Sequence, residues 1–452
     1  MEQNELGTKS IPSLVMKMSF PLIIAQLVNG LYNIVDRIYL GHLEGAGAEI
    51  LTGVGITYPV ILLITAFSNL IGSGGGPLAA IRLGQREGKK ADEILTVSAT
   101  SLVVMSAILM LVFYVLKTPL IYMFGASERT FIHANSYLTI YLIGTPFVQL
   151  TLGLNPFISA QGKTTMSMLT VIIGAALNII LDPIFIFVFD MGASGAAIAT
   201  VISQAVSGIY VVAFLSSKYS TIKLDIRKPK INKKVLLPIL GLGVSPFIMS
   251  ATEAAINVAF NSRLQLLGGD MAVGTMTIFS SILTFINMPV QGMNQAVTPL
   301  ISYNFGAALD DRVKGIYKFA LSVEFIYCFL TSCLCNFLPG LAIGLFTTDQ
   351  ELITYAIPYM KFFITGMAIF GLQSCSQQTF IGLGQAKISL FLAIFRKIIL
   401  LIPLVYILSS TALGIKGVFL AESISDATSA TVTFIVFMTN LPRILKKGAP
   451  KA

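Results

Sequence analysis

Apolar runs of about 20 residues, the length a helix needs to cross a bilayer core roughly 30 Å thick, recur along this chain with only short polar pieces between them. Twelve can be read, at 19–40, 50–73, 95–116, 134–158, 166–189, 193–215, 235–261, 271–297, 315–338, 354–382, 388–409 and 415–440. Backbone polar groups in hydrocarbon must be satisfied inside the segment, so such runs predict helices. The fold class expected is an all-α polytopic membrane protein with twelve transmembrane helices. Composition agrees: 55% of the 452 residues are hydrophobic and 11% charged, where a soluble chain carries charge on about a quarter. The start, MEQNELGTKS, has no short apolar core with a cleavage site, so the first run is expected to be a retained helix.

The net charge of +9 does not predict nucleic acid, because the basic residues gather at the ends of apolar runs. Placing both termini in the cytoplasm puts 24 of the 30 Lys and Arg on the inside and four outside (Lys117, Arg129, Arg263 and Lys416), with Arg37 and Lys361 within spans. The inside set includes Arg82, Arg86, Lys89 and Lys90, the basic stretch 218–234, and Lys387, Arg396 and Lys397. A bias this strong fixes the expected orientation. The cysteines, Cys328, Cys333, Cys335 and Cys375, lie in apolar segments without a C-x-x-C pair and read as small buried hydrophobes.

The two halves resemble each other at a constant offset of 222. Pro77 and Gly84 match Pro299 and Gly306, Gly162 matches Gly384, and Gly192, Gly195, Ala199 and Ser203 match Gly414, Gly417, Ala421 and Ser425. Six helices per copy keep the orientation of each helix, so the repeat is parallel and the lobes are related by a pseudo-two-fold axis along the membrane normal. The expected domains are an N-terminal six-helix lobe (1–217), a cytoplasmic basic linker (218–234) and a C-terminal six-helix lobe (235–452). Parallel-repeat carriers bind substrate between their halves and work by rocking.

Ionisable groups at bilayer depth are costly, usually face the protein interior and often carry function. In the first span Gln26, Asn29, Asn33 and Asp36 follow spacings of 3, 4 and 3, which places them on one stripe. In the fifth, NIILDPIF sets Asn178 and Asp182 one turn apart, and Pro183 cannot donate a backbone hydrogen bond. A carboxylate and an amide facing one way suit a hard cation or a proton. The alternatives are an Asp36–Arg37 pair at the interface and Asp182 capping a Pro-broken helix. In the second half, Glu253 reads equally as a cation contact or a paired charge, and Glu324, Glu422 and Asp426 read as structural or near-interface. The repeat sets Leu404 opposite Asp182, and Asn261 opposite Asp36 at a shifted offset, so the halves are chemically unequal.

Soluble-enzyme signatures are missing. Gly72-Ser-Gly-Gly-Gly76 lacks the Lys-Ser/Thr of a phosphate loop and reads as close helix packing or a flexible break. His42 and His133 are the only histidines, which argues against a histidine metal site. No enzyme activity and no cofactor are expected, and with no nucleotide-binding domain, active transport would draw on an ion gradient.

The chain from about residue 10 to 442 resembles the MATE (multidrug and toxic compound extrusion) family, in its bacterial multidrug efflux branch. The resemblance rests on Pro21 with NIVDRIYLG, PLAAIRLG at 77–84, AQGK at 160–163, NIILDPIF at 178–185, GASGAAIATVISQ at 192–204 and PLISYNFG at 299–306. It implies two six-helix lobes around a central cleft and export of amphipathic, cationic drug-like compounds by antiport with H⁺ or Na⁺. It also implies a monomer in the bacterial cytoplasmic membrane, with the lipid bilayer as its surroundings. Carried over, the cation site, with Na⁺ or H⁺ as its guest, comprises Asp36, Asn178, Asp182 and Thr200. Gln26, Asn29, Asn33 and Glu253 are candidate substrate or second-lobe contacts, and Pro21 and Pro183 are candidate conformational positions. Some relatives carry a further cation site with acids in the seventh and tenth helices. Glu253 fits the first, but the tenth offers Gln373, Ser374, Gln377 and Gln378 instead of an acid.

Two other readings share parts of this pattern. A flippase for a lipid-linked oligosaccharide would want a basic cleft for phosphates, whereas most charges within the spans here are acidic. A major-facilitator carrier has a similar loop to Gly84-Gln-Arg-Glu-Gly-Lys-Lys90, but with the acid and basic order reversed and no NIILDP counterpart.

Overall fold

The computed structural model describes residues 5–41, 43 and 47–449, with backbone only at Asn33, Arg37, Gly41, Ala48 and Ala254; His42 lies outside this set. Among these residues all regular structure is helical. The first half contains α1 (Ile11–Gly41), α2 (Gly47–Gly84), α3 (Gly88–Met123), α4 (Glu128–Ala160), α5 (Thr164–Pro183) and α6 (Gly192–Ser216). The second contains α7 (Lys233–Ala251), α8 (Glu253–Gly306), α9 (Asp310–Phe337), α10 (Gln350–Ile364), α11 (Phe370–Gly382), α12 (Ala386–Ile394), α13 (Ile402–Ser409) and α14 (Ile415–Lys447).

Ten helical segments among the described residues are long and apolar enough to cross a membrane. Two features bring this to the expected twelve crossings. The 74-residue segment Lys233–Gly306 is interrupted at Gly269, whose φ of 60° and ψ of −153° divide α8 into the end of one crossing and the whole of the next. The last crossing, α14, is 33 residues long, but its buried face carries Glu422, Ser423, Ser425, Asp426 and Ser429, which lowers its hydropathy.

The backbone repeats the duplication in detail. Ser127 caps α4 by accepting from Thr130 N. Asp349, at the equivalent position of the second copy, caps α10 by accepting from Glu351 N and Leu352 N. Left-handed backbone recurs at Arg86 and Ala308 (φ 62° and 57°), at Gly162 and Gly384 (80° and 71°) and at Gly192 and Gly414 (51° and 52°). Side chains in the second half have diverged, but the turn geometry has not.

The chain forms two compact units, Ile24–Phe247 and Met1–Ile23 with Ile248–Ala452. The cuts differ from the halves expected from sequence, and side-chain contacts explain why. Asn304 Nδ2 donates to the Leu6 carbonyl at 3.0 Å, and Arg312 donates to the Lys9 carbonyl at 2.8 Å and to Asn304 Oδ1 at 3.0 Å. These bonds tie the N-terminal segment to the second unit, and the change of unit at Ile23 and Ile24 falls just after Pro21 within the continuous α1. The stretch 218–234 belongs to the first unit. Ile222 and Leu224 are buried in its core, Lys223 N donates to Asp92 at 2.7 Å, and Lys230 pairs with Glu93 at 2.7 Å. It is thus docked on the first unit through these contacts.

In the first unit α4 packs on α2, α3 and α6, and α5 packs on α6. The glycine run of α2 makes the close packing expected of it. A Cβ on Gly74 would collide with the Ile239 carbonyl of α7, one on Gly72 with the Gly153 carbonyl of α4, and one on Gly75 with Phe157. At the turn beyond α2, a hydrogen bond from Lys90, with the charges of Lys90 and Arg82, holds the Glu87 carboxyl below the usual carboxylate range.

In the second unit α14 packs on α10, α11 and α13, and α9 packs on α8 and α11. The crossing formed by α12 and α13 contains a π-helical stretch, Phe395–Leu401. Arg396 and Lys397 lie in it, only 8% and 6% exposed. They are interior residues and do not belong to the cytoplasmic set expected from charge counting. Arg396 donates to Asp426 Oδ1 through Nε (3.1 Å) and a terminal nitrogen (2.7 Å), lies 3.9 Å from Glu422 and stacks on Phe370. Lys397 pairs with Glu253 at 2.7 Å. Removing one member of a buried pair strands the other charge, at a cost of about 3–5 kcal/mol, whereas an apolar replacement of both is near neutral. Asp426→Leu should therefore lower the thermal unfolding midpoint of the purified protein markedly, and Arg396→Met with Asp426→Leu and Glu422→Gln, which leaves neither acid stranded, should recover most of it.

Candidate functional site

The site grows from four helices, α1, α4, α5 and α6. On α5, Asn178 and Asp182 are one turn apart and buried, at 2% and 0% exposure. Asn178 Nδ2 donates to Asp182 Oδ1 at 3.1 Å. Asp182 Oδ2 and Asn178 Oδ1 have no well-formed hydrogen bond among the described residues. The Asp36 carboxyl of α1 faces Asp182 closely enough for direct charge and side-chain hydrogen-bonding interaction. Tyr137 of α4 lies in the field of Asp36, and its hydroxyl is hydrogen-bonded with Thr200 of α6. Tyr141 and Tyr32 are its neighbours on the same side. The structure thus brings together all four residues expected to form the cation site.

Local backbone explains the placement of Asp182. Pro183 ends α5 without stopping the chain, which continues as one π-helical turn, Ile184–Val188. Such turns inside α-helices are rare and often sit at functional sites. Gly195 of α6 packs against the Phe185 carbonyl so closely that a Cβ there would clash. That contact holds the π turn, and with it Asp182, against the helix that carries Thr200.

A cavity of about 40 Å³ opens beside the acids, lined among others by Asn29, Tyr32, Asn178, Thr200, Ser203 and Gln204. About 10–15 Å³ suffices for one water, so a small hydrated cluster fits. Ser203 Oγ and Gln204 Oε1 are buried there without a hydrogen-bond partner among the described residues. Buried polar atoms are normally satisfied by protein or by ordered water, and this wall is suited to hold water against Asn178 and Thr200.

Chemically, two carboxyl groups and an amide oxygen meet here. Two ionised carboxylates in such a space repel, and a proton or a small cation relieves the repulsion. The residues fit a monovalent cation: oxygen ligands only, with Asp36, Asp182, Asn178 and Thr200 able to supply them. Among the described residues no group of three or more His, Cys, Asp or Glu forms a metal cluster.

The remaining expected contacts do not gather here. Asn29 lines the cavity, but Gln26 is half-buried and does not. The side chains of Asn33 and Arg37 lie outside the described residues. Glu253 belongs to the second unit and is taken by Lys397. Tyr137, Tyr141 and Tyr32 were missed in the sequence, where 15 tyrosines give no single one distinction. Spacing could have flagged Tyr32, one turn before Asp36 on α1.

The family model MatE matches residues 21–184 and 246–407. The chain is 27% identical to the multidrug export protein MepA of Staphylococcus aureus (strain MSSA476) over 426 residues, 93% of this chain and 92% of that protein. It is also 27% identical to the MepA of Staphylococcus haemolyticus (strain JCSC1435), over 95% and 94% of the two chains. Among solved structures, a MATE in the bent conformation superposes with a TM-score of 0.92 at 23% identity, over 99% of both chains. An outward-facing multidrug resistance MATE transporter of the MOP superfamily gives 0.91 at 23% identity, over 98% and 99%. The structural matches establish a shared fold, the family model covers well over half of the sequence, and the chain accordingly belongs to the MATE family.

Proposed function

We propose that this protein is a secondary active multidrug efflux transporter, exporting amphipathic and mainly cationic organic compounds in exchange for H⁺ or Na⁺. The observation that carries the reading is the meeting of Asp36 and Asp182 inside one helical unit, with Asn178 and Thr200 beside them. The near full-length similarity to staphylococcal multidrug export proteins supports it. The setting is the bacterial cytoplasmic membrane, with both termini in the cytoplasm and the monomer as the working unit.

The chemistry follows from charge. With both carboxylates ionised and the pocket empty, the unit bears repulsion and desolvation together. A proton shared by the two acids, or Na⁺ ligated by Asp36, Asp182, Asn178 and Thr200, removes that penalty and stabilises the arrangement that encloses it. A cargo that favours the other arrangement is then driven by the ion gradient, because the two ligands prefer different states. Tyr137 holds Thr200 and sits in the field of Asp36, so it positions the ligands. A phosphate-handling flippase is less well supported, because the buried cations of the second unit, Arg396 and Lys397, are committed to carboxylates.

Proteoliposomes loaded with a fluorescent cationic dye and given separate proton and sodium gradients test the reading. Wild type should move dye under at least one gradient. Asp36→Asn and Asp182→Asn should each reduce this movement to that of empty vesicles while inserting normally; full transport by Asp182→Asn would reject the assignment. Tyr137→Phe should retain transport but weaken the coupling ion about five-fold, the worth of one hydrogen bond of about 1 kcal/mol, read as a shift in the ion concentration that gives half-maximal rate.

A further inference from the structure

Among the described residues, the buried acid that the cation site and the ion pairs leave unused is Glu324, in the middle of α9. It is 1% exposed. Neither of its carboxyl oxygens makes a well-formed hydrogen bond among the described residues, and Ser374 of α11 is the polar side chain that acts on it. Ser374 in turn accepts from Asn294 Nδ2 of α8 at 2.7 Å. Glu324, Ser374 and Asn294 therefore link three helices of one unit.

The backbone at this point is tightly held on one side and irregular on the other. A Cβ on Gly371 would meet the carbonyl carbon of Glu324 at 2.8 Å and Phe325 N at 2.8 Å. One turn earlier the crossing departs from α-helix into the 3-10 segment Thr365–Ile369, a feature that often marks a hinge. The environment of Glu324 is thus set by the least regular stretch of the neighbouring crossing.

Among the described residues no cation answers this carboxyl. The titratable groups that feel it are Tyr317 and Cys328 on α9 and Cys375 on α11. The stretch of α8 from Met271 to Ser302 contains no ionisable residue, and Pro339–Gly344 contains none either. α10 carries Glu351, Tyr355, Tyr359 and Lys361; Tyr355 packs on Tyr359, and the Lys361 ammonium lies over the Phe362 ring. Asp426 of α14, which acts on Cys328, is engaged by Arg396.

A carboxylate this deep with no counter-charge would carry an uncompensated buried charge, which is far more costly than a neutral acid. A glutamine would fill the same volume without that hazard. What glutamate retains is the ability to give its proton up. We propose that Glu324 is a second proton-carrying carboxyl, housed in the unit Ile248–Ala452, which holds its proton in the arrangement seen here and releases it when the Thr365–Ile369 segment rewinds. This extends the ion-coupled reading above, but the protonation itself stands independently of it.

Infrared difference spectroscopy of the purified, membrane-reconstituted protein tests the proposal. Protonated carboxyls are identified by the shift of their C=O band in D₂O, in an Asp36→Asn/Asp182→Asn background that removes the cation-site acids. A band that disappears as the medium is made alkaline, and that Glu324→Gln abolishes, is the expected result. Should Glu324→Gln fail to insert, Glu324→Asp must shift the same band. Absence of any band sensitive to these variants, or a band unmoved by pH, overturns the proposal. With Asp36 and Asp182 restored, Glu324→Gln should also lower the number of protons exchanged per ethidium transported by one; an unchanged ratio overturns the release step. The spectroscopic arm reads Glu324 even if no dye is transported, so failure of the efflux reading is distinguishable from failure here.

Discussion

An acid removed from water without a counter-charge is the constraint on which this structure turns. In an apolar helical unit the penalty can be met by a fixed cation, by a mobile one or by a proton, and the chain uses different solutions in its two units. In Ile248–Ala452, Asp426 and Glu422 are answered by Arg396, and Glu253 by Lys397. These are permanent pairs, and they account for the acids of α14 without invoking a ligand. In Ile24–Phe247, Asp36 and Asp182 face each other beside Asn178, an arrangement of oxygen groups suited to a guest that comes and goes.

The duplication gives this asymmetry its context. Caps, left-handed turns and close glycine contacts recur at matching positions of the two copies, so both build the same backbone. Gly195 and Gly417, for example, each press against a carbonyl of the preceding segment. The polar side chains around Asp182 do not recur. The position opposite Asp182 is Leu404, and the one opposite Thr200 is Glu422. One scaffold thus holds two facing acids in one copy and an ion-pair network in the other.

Much of this was legible in the sequence because membrane helices leave a strong signal. Long apolar runs marked the twelve crossings, and the rarity of intramembrane acids singled out Asp36 and Asp182 together with the amide at Asn178. What stayed hidden depends on contacts between distant residues. Arg396 and Lys397 fall within the run 388–409, yet charge counting placed them in the cytoplasm; the π-helical stretch and its acidic neighbours put them inside. The segment Met1–Ile23 groups with the second unit because Asn304 and Arg312 bind its backbone, and no local pattern announces bonds between positions so far apart in the chain. Tyr137 carries no sequence mark of its role, since the partners Asp36 and Thr200 come from other helices.

The central claim is that a mobile cation sits at Asp36 and Asp182 and leaves as cargo binds. Its most direct test counts ions on purified protein at equilibrium, without a gradient. Protons are followed in weakly buffered solution and sodium with a radioactive tracer while a cationic dye is added. The account predicts that dye binding displaces H⁺ or Na⁺ from the wild type, and that the Asp36→Asn/Asp182→Asn protein binds dye with one fewer cation displaced. Equal displacement from both proteins, or dye binding with no cation released from either, would contradict it.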